Sequence, residues 1–95
     1  MRKYETMFIL NSGFTKEELP GKVEKFTNVI YNAGGQVDKI TDWGKRRLAY
    51  EVKKQRDGYF VLVNFSAEPG VSKELERIFR ISEEVVRYLI VRLED

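Results

Sequence analysis

Apolar and polar positions follow two different rhythms along this chain, and the switches between them predict its elements. From Tyr4 to Leu10 the residues are β-formers, and they stop at the turn cluster Asn11-Ser12-Gly13, which predicts a first strand. Leu19, Val23, Phe26, Ile30 and Ala33 then recur at steps of three and four, the apolar stripe of a helix. Thr15 and Glu18 have the spacing of a capping box at its start, and Gly34-Gly35 supplies a left-handed residue at its end. Pro20 removes a backbone donor in the first turns, so an irregular or shifted start is expected. Gln36 to Val52 reads as one long strand whose second half alternates, Leu48, Tyr50 and Val52 against Ala49 and Glu51, with a bulge or bend at Gly44. Lys53 to Gly58 reads as a polar, basic hairpin ending in Asp57-Gly58. Tyr59 to Phe65 is a third strand, apolar at nearly every position and therefore central. Pro69-Gly70 breaks the chain, Ser72 is the expected N-cap of a helix carrying Leu75, Ile78 and Phe79, and Val85 to Leu93 makes the last strand.

Strand, helix, strand, strand, helix, strand is the order of two interleaved split βαβ units, so the expected fold is an α+β ferredoxin-like sandwich. Right-handed crossovers then place strands one and three centrally, two and four at the edges, and both helices on one face. With 95 residues the chain is read as one domain, 1–95, because two would each be short of core. Thr6, Phe8, Leu10, Val61, Val63 and Phe65 are the expected helix-facing set. Met7, Ile9, Phe60, Leu62, Leu89 and Val91 fall on the other face, which is too apolar for bare water. It is either a partner surface or one over which long side chains fold.

Charge sharpens this picture by being nearly balanced. Seventeen basic and fifteen acidic residues leave a net charge of +2, so any anion-binding surface must come from clustering. The chain has no histidine and no cysteine, which removes thiolate nucleophiles, imidazole bases and the common zinc ligands together. No catalytic residue, metal or cofactor is expected. Asp38, Asp42, Glu83 and Glu84 show no paired geometry, and Asn11-Ser12-Gly13 lacks the Lys-Ser/Thr that follows a phosphate-cradling turn. The apolar run Met7 to Leu10 is too short for a signal segment or a membrane span, so a cytoplasmic protein is expected.

Three basic clusters remain: Arg2-Lys3, Lys45-Arg46-Arg47, and Arg80, Arg87 and Arg92. Arginine forks match phosphate oxygens and stack on bases, and interleaving with Tyr4 and Tyr88 suits RNA. Lys45 to Arg47 would equally keep an edge strand from pairing with another sheet. Trp43 beside Gly44 is either a core anchor or an interface ring. The fold also hosts the RNA recognition motif, whose paired rings lie two residues apart; here Tyr59 and Phe60 are adjacent and must point oppositely.

The start Met1-Arg2-Lys3-Tyr4-Glu5, the run from Asp42-Trp43-Gly44 through Lys45-Arg46-Arg47 to Leu48-Ala49-Tyr50, and Phe79-Arg80-Ile81 leading to Val86-Arg87 and Arg92 stand in order. Together they resemble bacterial small-subunit ribosomal protein six over almost the whole chain. The resemblance implies a constituent of the small ribosomal subunit. It would bind 16S ribosomal RNA in the central domain as a heterodimer with small-subunit ribosomal protein eighteen, without catalysis. It carries RNA contact to Arg2, Lys3, Tyr4, Arg80, Arg87 and Arg92, and partner contact to Trp43, Lys45, Arg46 and Arg47. Glu51 departs from a frequent proline, and Ser82-Glu83-Glu84 replaces a more usual Asn/Asp turn, adding acids that weaken the positive field near Arg87. The rivals are a free single-strand RNA-binding module, marked by stacking on Phe60, and a small-molecule sensor that dimerises through its sheet. An acylphosphatase-like enzyme would need an arginine in the loop after strand one, and Asn11 to Phe14 offers none.

Overall fold

Alternation along the first strand decides which side of the sheet becomes core. Thr6, Phe8 and Leu10 are buried, and so are Val61, Val63 and Phe65, the residues opposite in the neighbouring strand or its register. The computed structural model describes residues 1–93. Its elements are β1 (Arg2–Asn11), a 3-10 turn (Lys16–Glu18), α1 (Leu19–Asn32), β2 (Gln36–Val52), β3 (Gln55–Ala67), α2 (Pro69–Ile81) and β4 (Val85–Arg92). β1 pairs antiparallel with β3 and β4, and β3 with β2, giving the order β2-β3-β1-β4. This is the ferredoxin-like arrangement expected from the element order.

Both helices lie on the Phe8 side. Phe8 meets Phe26 of α1 at 5.2 Å and Phe79 of α2 at 5.0 Å, and the two helix rings are 4.9 Å apart. Each such pair contributes about 0.5–1.5 kcal/mol beyond the area it buries. On the opposite face Met7, Phe60 and Leu62 are half-buried, while Leu89 and Val91 of β4 are 56% and 42% exposed.

Helix α1 starts as irregularly as Pro20 implies. The Glu18 carboxylate accepts a hydrogen bond from the Thr15 N–H at 2.8 Å, the 3-10 turn follows, and Pro20 sits in the first turn of α1, where a missing N–H costs nothing. The Thr15 N–H, with help from Lys22, also holds the Glu18 carboxyl below the usual carboxylate range. Gly34, at φ 85°, ends the helix.

Two connections differ from expectation. Pro69 begins α2 instead of ending the preceding segment, because proline is pre-organised for the first helical position; the cap is Glu68, and Ser72 lies inside the helix, donating to the Pro69 carbonyl. The β2–β3 hairpin, expected over Lys53 to Gly58, narrows to a reversal at Lys53-Lys54, and β3 begins at Gln55 instead of Tyr59. Val52 pairs with Gln55, and both lysines have positive φ, 49° and 64°, as a two-residue type I′ turn requires. Asp57 and Gly58 are strand residues, opposite Arg47 and Arg46. Gly58 is needed there for close approach: a Cβ would stand 2.5 Å from Ile9 Cγ2 and 2.8 Å from the Leu10 carbonyl oxygen.

Candidate nucleic-acid interface

Strand register distributes the basic residues before any ligand is considered. Arg87 lies opposite Ile9 and therefore on the open face, whereas Arg92 lies opposite Tyr4, on the helix side at the far end of β4. The expected trio Arg80, Arg87 and Arg92 is thus divided. Arg80 and Arg87 line one open groove where α2 meets the start of β4. Arg92 belongs with Arg2 and Lys3 at the other end of the sheet, where the Leu93 N–H donates to the Lys3 carbonyl at 2.8 Å. All five cations are exposed.

Tyr4 does not join them. It shares the inward register of Thr6 and Phe8, is 5% exposed, and stacks on Phe65 with ring centroids 5.2 Å apart. Its ring belongs to the core and has no face left for a base. Tyr59 and Phe60 do oppose each other: Tyr59 is buried with its hydroxyl on the Phe14 carbonyl, and Phe60 is half-buried on the open face.

The second cluster lies on the bare β2 edge. Register shifts fall between Val37 and Lys39 and between Asp42 and Gly44, where Gly44 takes φ 76° and its N–H meets the Asp42 carboxylate at 2.7 Å. Such bulges re-aim side chains. Trp43 stands in one of them, 43% exposed, so it is not a core anchor. Lys45 is 4.0 Å from the Asp57 carboxylate, Arg46 donates to the Trp43 carbonyl at 3.2 Å, and Arg47 shares a groove with Arg56.

The groove beside β4 contains residues that sequence reasoning did not single out. The β2–β3 hairpin reaches past the end of β1 to the start of β4, where Lys53 Nζ donates to the Val85 carbonyl at 3.2 Å. Arg87 Nη1 donates to the Tyr50 hydroxyl at 2.9 Å, and its guanidinium lies 5.7 Å from that ring. Left-handed backbone at two non-glycine residues costs about 1–3 kcal/mol each. Among the described residues, no carboxylate forms an ion pair with Lys53, Arg80 or Arg87. Glu84, expected to weaken the field there, is instead bound to Lys25 at 3.0 Å. Burial pushes its carboxyl up, but its own backbone N–H and Lys25 outweigh this and hold it below the usual range.

Residues 3–92 match the model of the family described as ribosomal protein S6. The chain belongs to that family. It is 54% identical over 94 residues to the small ribosomal subunit protein bS6 of Clostridium botulinum, covering 99% of this chain and all of that one. It is 48% identical over 95 residues to bS6 of Caldanaerobacter subterraneus subsp. tengcongensis, over the full length of both. The crystal structure of 30S ribosomal protein S6 from Thermotoga maritima superposes with a TM-score of 0.90 at 32% identity, over 97% of this chain and 87% of that one. These S6 relatives are ribosomal proteins, and the likeness covers the sheet, both helices and the long hairpin.

Lys53 and Tyr50 had a sequence signal, though a faint one. Tyr50 stands out in the β2 alternation, and Lys53 belongs to the basic hairpin. Their convergence on Arg87 depends on where the hairpin turns, and Lys-Lys does not advertise a type I′ turn as Asn-Gly would.

Proposed function

We propose that the chain is a structural, non-catalytic constituent of the small ribosomal subunit. It binds small-subunit ribosomal RNA in the central domain together with small-subunit ribosomal protein eighteen, in the cytoplasm. Family membership supports the ribosomal role. The observation that carries RNA contact is the exposure of arginines at both ends of β4: Arg80 and Arg87 at one end, Arg92 with Arg2 and Lys3 at the other, none of the first three paired to a carboxylate among the described residues. Two separated cationic sites read the placement of phosphates on a folded RNA better than they read a linear strand. Tyr4 supports the site from the core and makes no contact.

Trp43, Lys45, Arg46 and Arg47 form the proposed contact with the protein partner. The bulged edge there presents an exposed indole beside cations already tied to Asp57 and the main chain. A stacking module for single strands is less well supported, since of the adjacent rings Tyr59 and Phe60 on β3 the first is buried and the second alone faces outward.

The test is affinity for a central-domain RNA fragment with and without the partner. Binding is weak alone and rises sharply when the partner is present. Equal affinity for the lone chain and the pair would refute cooperative recognition.

A further inference from the structure

We infer that the tip of the β2–β3 hairpin completes a preformed seat for one RNA phosphate, in which Lys53 joins Arg80 and Arg87 and Tyr50 positions Arg87. The seat rests on the RNA-binding reading above and adds to it a contacting residue and a positioning residue. Three independent features converge on it.

The first is the turn itself. A hairpin that needed only to reverse direction would take Asn or Gly at positions of φ 49° and 64°, yet both are lysine. Strained backbone kept at an exposed tip, where easier residues exist, points to a use for the side chain. The second is tethering. Lys53 is held to the Val85 carbonyl and Arg87 to the Tyr50 hydroxyl, so the hairpin tip is fixed to β4 at two points before any ligand arrives. Tethering lowers the ordering cost of binding. The third is unused donor capacity. Lys53 spends one of three N–H groups on Val85, and Arg87 spends one of five on Tyr50. Both line the groove with Arg80, and no carboxylate among the described residues pairs with any of the three. Three cations with spare donors and no counter-charge match the oxygens of a phosphate.

The experiment uses the full chain with its protein partner and a central-domain ribosomal RNA fragment. Lys53→Asn relaxes the turn and removes the charge. Its unfolding midpoint in urea rises, while RNA affinity falls about tenfold and the salt slope drops by roughly 1. Lys53→Arg restores binding. Tyr50→Phe keeps the ring and loses the hydroxyl; affinity falls about threefold with the salt slope unchanged, and the Arg87 side-chain NMR signal shifts while the remaining spectrum stays. Wild-type binding with both variants indistinguishable from it would overturn the seat and leave the RNA reading intact. Lys53→Asn losing stability and affinity together would overturn it as well, reducing Lys53 to a structural residue. A wild-type pair that did not bind the fragment would overturn the RNA reading itself.

Discussion

The cations of the β2 edge and those of the β4 groove are alike in sequence and unlike in what already occupies them. Lys45 lies 4.0 Å from the Asp57 carboxylate and Arg46, like Lys53, gives one N–H to a main-chain carbonyl, whereas no carboxylate among the described residues pairs with Lys53, Arg80 or Arg87. The edge group also has work that needs no RNA. β2 offers a 17-residue bare edge, and charge together with the breaks in its register discourages another sheet from adding to it. Counting basic residues therefore says little about where a polyanion binds. What matters is which of them keep unspent donors on a surface that is held still.

The sharpest way to break the comparison is to move the hairpin. Gly58→Ala drives a methyl group into Ile9 and the Leu10 carbonyl, so β3 must withdraw from β1. The expected loss is about 1–3 kcal/mol, measured by urea denaturation. Because Arg46 pairs opposite Gly58 and Lys53 lies beyond it, both clusters shift, but only the groove depends on reaching β4. RNA affinity should fall further than stability explains. Full RNA affinity in this variant would mean that the hairpin tip is dispensable.

A gentler change tests the edge group alone. Replacing Arg46 and Arg47 by threonine keeps β-propensity and removes two exposed charges. Stability should stay within about 0.5 kcal/mol, and RNA binding by the chain alone should keep most of its affinity. Self-association should increase, seen as concentration-dependent sedimentation, and partner affinity should fall. A loss of RNA affinity equal to that of an Arg87→Ala variant would erase the distinction between the two clusters.

The difference between the clusters was partly visible in the residues. Alternation in β1 and β3 settled the two faces of the sheet, since Thr6, Phe8 and Leu10 could only be buried together. The element order supplied the topology, and Thr15, Glu18 and Pro20 told how α1 begins. What stayed hidden depends on distant contacts. Tyr4 looked like a surface ring until its register with Thr6 and Phe8 was taken seriously. Arg87 and Arg92 are five residues apart and so face opposite ways, a consequence of the two-residue period that a simple cluster ignores. The hairpin was drawn too long, as far as Gly58, because Asp57-Gly58 is the commoner turn signal, and glycine's second use, letting two strands approach, leaves the same letter in the sequence.

The smallest expected effect concerns Glu84, the acid that sequence places nearest the groove. Its carboxyl sits below the usual range in the folded chain, chiefly because hydrogen bonds from its own N–H and from Lys25 overcome the opposing effect of burial. A group depressed on folding contributes stability that is complete above the ordinary carboxylate range and disappears as the pH falls through the folded value. Wild-type stability should therefore decline on acidification across that window, and Glu84→Gln should decline less over the same interval, followed by urea midpoints at each pH. The salt slope of RNA binding at neutral pH should not change in this variant, because the Glu84 charge is already answered by Lys25 on α1. A steeper slope in Glu84→Gln would show instead that this carboxylate does temper Arg80 and Arg87, and that the groove is less free of counter-charge than its geometry indicates.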